Sequence, residues 1–457
     1  MRASVFIGTF MTILRRSLSG LLLLLIALPL FLWLKPPALL RVGANYSAKI
    51  VCSNVFLAGR DADEVLRVDV QAPGIALLRL MRVSVDREHG VVRTGLLGFI
   101  GDGLAVAKAG KGCTVLPDGK LDSNGGAKLL SAASSPATDS AAWPEGNAVK
   151  TSAAVDEVLH DDRLAGPGAR ALVVVDHGRI VGERYAAGFT AATPLLGWSM
   201  TKSVMAGVIG LAVKDGKLKL DQAGLWPGAD GRERIRLADL LAMSSGLNFN
   251  ESYGAVSDVT SMLYLQPDMA AFARSQPLIH PVGKVWSYSS GTAVILSSIA
   301  QDAVGGDASG YIKARLFEPL GMSSAIVEAD EHGTLVGSSY MYATARDWAR
   351  YGQFLMQGGI WRGQELLPEG YVEMMAAPVV SSHGQYGRGQ VWRWEAESAA
   401  NGLPKDTFWM SGHDGQYVAI VPSRQVVIVR MGLTPESEGY AAQPLVKAVL
   451  ETPSAGP

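Results

Sequence analysis

The chain has 457 residues, 48% of them hydrophobic, which is enough to bury a large core in one α/β domain with appended segments. A formal net charge of −1 and the lack of a basic run argue against a nucleic-acid-binding protein. The sequence holds no P-loop, no H-E-x-x-H and no Cys/His cluster, so nucleotide-binding and zinc-dependent frameworks are not expected.

The first predicted element is a membrane anchor. Residues 18–34 read LSGLLLLLIALPLFLWL, are uncharged, and follow Arg15 and Arg16. As a helix this run extends about 26 Å, enough to cross a bilayer core. Because no small-x-small cleavage site follows, residues 1–36 are predicted to be an uncleaved signal anchor. The chain is then expected to span the inner (cytoplasmic) membrane once, with its bulk on the extracytoplasmic, periplasmic side. The alternative is a buried helix of a soluble domain.

Residues 37–124 are predicted to form a small β-rich segment. Within it, MRVSVDREHGVVRTGLL alternates apolar and polar residues on both sides of a turn at residues 88–90, the pattern of a β-hairpin. Outside the cytoplasm, Cys52 and Cys113 are expected to pair and to stabilise the segment by about 4 kcal/mol. Two buried free thiols are the alternative. Residues 125–147, rich in Ser, Ala and Pro, are predicted to be a linker.

Residues 148–457 are predicted to form one domain. The stretch ALVVVDHGRIVGERY predicts a hairpin that turns at residues 176–178. Met200 to Lys214 has apolar residues at helical spacing and ends before an Asp-Gly pair, which is typical of a helix end. GQYVAIVPSRQVVIVRMG predicts two further strands around residues 422–425. Strands at both ends with helices between them predict a sheet built from the two termini, with a helical part inserted.

Ser199 and Lys202 are three residues apart at the start of the predicted helix. Residues i and i+3 share a helix face, so the lysine amine can reach the serine hydroxyl. The helix N-terminus favours negative charge there by a few tenths to about 1 kcal/mol. Desolvation by the apolar residues that follow would lower the pKa of the lysine and let it act as a base. One S-x-x-K is also expected by chance in such a chain, so an ordinary amphipathic helix is the alternative.

Further stretches add to this pair. Tyr288 precedes a turn and a helical run in VWSYSSGTAVILSSI, and in FWMSGHDGQYVAIVPS residues 412–415 open a strand that can lend a backbone N–H to an oxyanion hole. With LADLLAMSSGLNFNESY, LFEPLGMSSA and YATARDWARYGQFLMQGG, they give residues 150–450 a resemblance to the serine β-lactamase and penicillin-recognising superfamily. The chain looks most similar to the class C β-lactamase and esterase-type branch, which includes 6-aminohexanoate-dimer hydrolase.

The resemblance implies an α/β (α+β) fold, with an antiparallel sheet flanked by helices, an all-helical subdomain, and the site between them. Ser199 matches the family nucleophile, Lys202 its partner lysine, and Tyr288 the tyrosine of the Y-x-N motif. The two oxyanion-hole N–H groups map to Ser199 and Gln416. The implied reaction is acylation of Ser199 by an ester or amide carbonyl followed by hydrolysis, and no metal or cofactor is implied.

Two motifs depart from the family pattern. Ser290 stands for the asparagine of Y-x-N, and His413, Asp414 and Gly415 stand for the K-T-G triad. Without that lysine, and with an aspartate that repels anions, a substrate carboxylate would be held poorly, so strong β-lactamase activity is not expected. These four residues are candidate substrate-binding residues. Tyr253 joins them because it matches a substrate-contacting tyrosine of the amidase branch; a packed loop tyrosine is the alternative.

The sequence therefore predicts a membrane-anchored extracytoplasmic serine hydrolase that acts on small-molecule esters or amides. A peptidoglycan D-Ala peptidase or penicillin-binding protein with weak β-lactamase activity is one alternative, and it would bind labelled penicillin. The other is a catalytically silent binding protein on the same fold. The joint presence of Ser199, Lys202 and Tyr288 favours the enzyme.

Overall fold

The computed structural model describes residues 30–121 and 140–454, together with residues 17–19 and 27. The first part of this range forms an N-terminal module, residues 38–115, in which one long helix packs on a four-stranded antiparallel sheet of order β1-β2-β3-β4. Its helices and strands are α1 (Ala38–Phe56), α2 (Ala62–Val65), β1 (Met81–Asp86), β2 (Val91–Leu96), β3 (Ile100–Lys108) and β4 (Gly112–Val115).

The structure overturns the predicted transmembrane helix. No helix among the described residues is long and apolar enough to cross a membrane, so the predicted transmembrane helix and the single-pass inner-membrane placement are not supported. The apolar run at residues 18–34 falls largely outside the described residues. Helix α1 has 19 residues, but it carries Arg41, Asn45 and Lys49, and most of it is buried inside the protein. A helix with these side chains is a core helix of a folded domain.

Helix α1 joins the N-terminal module to the rest of the chain through polar contacts. Asn45 donates to the backbone carbonyl of Tyr264 at 2.8 Å. Lys49 and Ser53 both bond the carboxylate of Glu328, and both Lys49 and Glu328 are almost fully buried. A disulfide between Cys52 and Cys113 ties α1 to β4, with a Cα–Cα distance of 6.1 Å. The sequence predicted only strands in this region. A buried helix is possible here because its polar side chains are hydrogen-bonded to residues more than 200 positions away.

The second part of the chain is built on a five-stranded antiparallel sheet of order β12-β13-β14-β5-β6, to which both ends of the domain contribute strands as expected. Both predicted hairpins form, and so does the helix from Met200 to Lys214. The remaining helices and strands are α3 (Ala153–His160), α4 (Asp162–Ala165), β5 (Ala169–Asp176), β6 (Arg179–Tyr185), β7 (Leu195–Leu196), α5 (Met200–Lys214), α6 (Leu237–Leu241), α7 (Asp258–Leu265), α8 (Met269–Arg274), α9 (Ser290–Ala303), α10 (Ala308–Ile312), α11 (Glu318–Leu320), β8 (Ile326–Val327), β9 (Met341–Ala343), α12 (Ala345–Met356), β10 (Ile360–Trp361), β11 (Gln364–Glu365), α13 (Tyr371–Ala376), α14 (Glu395–Ala400), β12 (Phe408–Gly412), β13 (Gln416–Val421), β14 (Val426–Gly432) and α15 (Gln443–Glu451).

Helices cover both faces of the five-stranded sheet. Helices α3 and α15 bury Leu159 and Leu445 against one face, and α12 packs on the other face across β13, β14 and β5. Helix α5 lies beside β12 and β13 and contacts α9 of the helical part, so its first turn stands between the sheet and the helices. The end of the predicted linker is packed here too: Trp143 is buried, and Arg350 of α12 lies 5.6 Å from the centre of its ring.

Candidate active site

The nucleophile candidate sits on a tight loop that leads from β7 into α5. Trp198 has a left-handed backbone (φ 47°), which is unusual for a bulky residue and places Ser199 directly before the helix. Gly197 donates to the carbonyl of Met341 at 2.9 Å, which fixes the loop to β9. As a first-turn residue, Ser199 has a backbone N–H without an intrahelical partner. The loop therefore presents both a hydroxyl and a free amide at one point.

Lys202 holds the centre of the site. Its Nζ lies 3.0 Å from Ser199 Oγ, 3.1 Å from Ser290 Oγ and 2.9 Å from the carbonyl oxygen of Ser338. The side chain is buried, and burial lowers its pKa to about 8, against a smaller opposing effect from the carboxylate of Glu251. With this pKa about one tenth of the lysine is neutral at pH 7, far more than for an exposed lysine, which lets Lys202 act as a base.

Glu251 is a site residue that the sequence analysis missed. Its carboxylate accepts from Ser290 through the backbone N–H at 2.8 Å and through Oγ at 2.5 Å, so Ser290 links it to Lys202. Burial raises its pKa, and the positive charge of Lys202 opposes this. The available signal was its place in FNESY, two residues before Tyr253. Its contact with a residue 39 positions away depends on the fold.

Tyr288 lies over Lys202, whose Nζ is 4.8 Å from the centre of the phenol ring. Burial raises the pKa of Tyr288, the negative charge of Glu251 raises it further, and a hydrogen bond with Ser199 lowers it. The phenol is therefore protonated at neutral pH. The structure thus brings together Ser199, Lys202, Tyr288 and Ser290, four of the predicted site residues.

The position of Gln416 speaks against its predicted place in an oxyanion hole. Strand β12 is an edge strand, and Trp409 turns both its backbone N–H and C=O away from β13 to bond Trp392, at 2.8 Å each. Backbone directions alternate along a strand, so His413 also faces outward, while Gly412 pairs with Gln416. The N–H of Gln416 is therefore part of the strand pairing, and its side chain bonds Gly432. The outward N–H of His413 replaces it as the candidate.

The end of β12 reaches the nucleophile loop. Gly412 packs so closely there that an added Cβ would overlap the carbonyl oxygen of Gly197, which explains the glycine. The ring of His413 lies 5.7 Å from that of Trp198, edge to face, and stacks on Tyr253 at 5.1 Å. Tyr253 is 40% exposed. These two rings therefore line one side of the site, next to Ser199.

Asp414 and Gly415 are placed differently from the prediction. The carbonyl of Asp414 accepts from the backbone of Thr434, and that of Gly415 accepts from Arg430 at 2.6 Å, so both anchor the turn to the far end of β14. Burial raises the pKa of Asp414, with the charge of His413 opposing this. The contacts of the two residues point away from Ser199, which argues against direct substrate binding.

The carboxylate of Asp414 lies instead in a small cavity of about 30 Å³ behind Trp198. The N-terminal module supplies Tyr46, Asn54 and Asp69 to its wall. A space of this size holds about one water molecule. The module therefore supports the back of the nucleophile loop, and the cavity is too small for an organic substrate.

A protein-family model described as Beta-lactamase matches residues 159–448 of the chain. A candidate 6-aminohexanoate-dimer hydrolase from Bacillus anthracis is similar in structure, with TM-score 0.55 and 22% identity over 64% of this chain and 80% of that chain. A penicillin-binding protein homologue from Caulobacter crescentus (TM-score 0.53, 18% identity) and a family VIII carboxylesterase (TM-score 0.53, 14% identity) each align over 66% of this chain and 98% of their own. At these identities the structural matches establish the fold. No curated protein matches the chain.

Proposed function

Because the chain belongs to the beta-lactamase family of serine hydrolases, we propose that it cleaves small esters or amides through an acyl-enzyme on Ser199. The observation that supports this most directly is the 3.0 Å contact between Lys202 Nζ and Ser199 Oγ, made by a buried lysine whose pKa is lowered to about 8. A nucleophile within hydrogen-bond reach of a base is the arrangement that acyl transfer requires.

In the first step Ser199 Oγ bonds to the carbonyl carbon while its proton passes to Lys202 Nζ. Lys202 takes this role because its pKa is close to neutral, whereas burial raises the pKa of Tyr288 and keeps its phenol protonated. The carbonyl oxygen gains the negative charge and accepts from the backbone N–H groups of Ser199 and His413. One such donor is worth about 2.7–4 kcal/mol in other hydrolases.

In the second step the bond to the leaving oxygen or nitrogen breaks. Tyr288 donates its phenolic proton to the leaving atom, and the resulting phenolate takes one from the ammonium of Lys202, whose Nζ lies 4.8 Å from the centre of the ring. Water then attacks the acyl-enzyme with the same groups acting in reverse, which releases the acid and restores Ser199. Glu251 and Ser290 hold Lys202 in place and set its charge through the cycle.

The test uses the full chain treated with a fluorophosphonate, with the modified residue located by mass spectrometry. Labelling is expected on Ser199 and is expected to disappear in Ser199→Ala. Ser275→Ala is the matched control, because Ser275 is exposed and lies outside the site. Turnover is then measured with panels of esters, amides, nitrocefin and labelled penicillin.

A folded wild-type protein that neither labels nor turns over any ester or amide would overturn the proposal in favour of a silent binding protein. Stable capture of penicillin on Ser199 with no ester turnover would favour the peptidase and penicillin-binding alternative. Circular dichroism of each variant separates loss of the nucleophile from loss of the fold.

A further inference from the structure

An aromatic corner lies next to Tyr288, and nothing in the proposed chemistry uses it. We define the corner as Trp286, Tyr386 and Trp392. The ring of Trp392 lies 5.1 Å from that of Tyr288, and Trp286 meets Trp392 edge to face at 6.2 Å. Tyr386 is fully buried behind them, with its ring 5.0 Å from that of Trp392 and 5.6 Å from that of Trp286.

The position of the corner relative to the reaction assigns it to one half of the substrate. Tyr288 delivers a proton to the leaving atom, so that atom must lie at its hydroxyl during bond cleavage. The group attached to the leaving atom then extends along the side of the site that Tyr288 and its neighbours line. The acyl part, bonded to Ser199, extends on the other side of the carbonyl, towards His413 and Tyr253.

The corner is both partly open and rigid. Trp286 and Trp392 are half-buried, so each leaves part of its ring available. Trp394 stacks on Trp392 at 5.3 Å with the rings 25° apart, and Tyr386 closes the back, so the ring of Trp392 is held on several sides. Trp286 and Trp392 already contact each other at 81°, so a ligand ring would meet the part of either ring that remains exposed, in the edge-to-face or offset geometry that aromatic pairs prefer.

The electrostatic surroundings of the corner favour an uncharged leaving group. Its own three side chains and the packed Met243 and Ala293 are neutral. Burial raises the pKa of Tyr386, and the nearby carboxylate of Glu251 raises it further. That carboxylate is bonded to Ser290 and faces the positive charge of Lys202. The neighbouring Arg393 donates to the carboxylate of Glu395 at 2.9 Å and to the carbonyl of Ala376, so its charge is already paired. A charged leaving group would lose its hydration here without gaining an opposite charge.

We propose that the corner of Trp286, Tyr386 and Trp392 binds the leaving group, and that the preferred substrates are esters or amides of neutral aromatic alcohols or amines. This inference rests on the proposed function, because it needs Tyr288 to protonate the leaving atom. In this proposal the corner determines which leaving groups are accepted, whereas the acyl part of the substrate contacts the opposite side of the site. An aromatic contact of this kind changes kcat/KM by up to about tenfold.

The kinetic test compares 2-naphthyl acetate with hexafluoroisopropyl acetate, which has the same acyl group and an alcohol of similar acidity without a ring. Trp392→Ala is expected to lower the naphthyl-to-alkyl ratio of kcat/KM by about tenfold. Trp226→Ala is the control, because this tryptophan packs on Arg274 in the helical part and should leave the ratio unchanged. If Trp392→Ala merely displaced Tyr288, kcat/KM would fall for both substrates and their ratio would stay the same. An unchanged ratio in Trp392→Ala therefore overturns the inference.

A binding test keeps the two proposals separate. The fluorescence of 2-naphthol is titrated with Ser199→Ala, and with Ser199→Ala carrying Trp392→Ala as well. The first protein is expected to bind the naphthol about tenfold more tightly than the second. Equal affinities overturn the aromatic leaving-group site, even if esters are turned over. If Ser199→Ala binds 2-naphthol more tightly than the double variant but the wild type turns over no ester, the proposed reaction is refuted and the aromatic binding site is retained.

Discussion

Replacing Glu251 by glutamine is expected to shift the pH dependence of the reaction towards acid. Glutamine keeps an acceptor for the backbone N–H of Ser290 but removes the negative charge that favours the ammonium form of Lys202. The pKa of Lys202 is about 8 with that charge in place. Without it, burial acts unopposed and the pKa falls further, so the neutral amine predominates at lower pH.

The size of the shift follows from the contacts of Ser290. Hydrogen bonds of 3.1 Å to Lys202 Nζ and 2.5 Å to Glu251 Oε1 place the two charges within about 6 Å of each other. At an effective dielectric constant of about 20, unit charges at that distance interact by about 3 kcal/mol. This corresponds to about two pKa units.

The assay is the pH profile of kcat/KM with a neutral ester, because this ratio reports ionisations of the free enzyme. The kcat/KM of the wild type is expected to rise with pH through about 8. In Glu251→Gln the midpoint of this rising limb is expected about two pH units lower. Glu369→Gln, which changes an exposed glutamate outside the site, should leave the limb in place. A limb that stays put or moves to higher pH in Glu251→Gln would refute Lys202 as the base.

Two further predictions concern the scaffold, and a third concerns the oxyanion hole. Glu328→Gln leaves the ammonium of Lys49 buried without its partner and should cost about 3–5 kcal/mol in urea unfolding, whereas Lys49→Met combined with Glu328→Leu should cost less. Reduction of the disulfide, which spans 61 positions, should lower the free energy of unfolding by about 4 kcal/mol in the same assay. Gly412→Ala should lower kcat at least tenfold, with little change in far-UV circular dichroism, because the new methyl group pushes the His413 amide away from Ser199; unchanged kcat would remove that amide from the oxyanion hole.

The predictions from sequence were best where the information is local. The helix from Met200 to Lys214 follows from apolar residues at helical spacing and from the Asp-Gly pair at its end, and the hairpins follow from alternation around a turn. Helix α1 could not be found in this way. Its Asn45 and Lys49 look wrong for a core helix until the fold supplies Tyr264 and Glu328. The apolar run at residues 18–34, on which the predicted anchor rests, falls largely outside the described residues.

The roles of the site residues depend on how deeply each is buried, which the sequence alone does not show. Burial disfavours charge, and it therefore lowers the pKa of Lys202 while it raises those of Tyr288 and Glu251. A buried lysine becomes a usable base near neutral pH, and a buried tyrosine remains an acid that holds its proton until the leaving atom needs it. The motif spacing shows only that these groups can meet. In the proposed reaction Lys202 takes the first proton, because burial lowers the pKa of its cationic form and raises that of the neutral phenol, and the pH profile of Glu251→Gln tests that assignment directly.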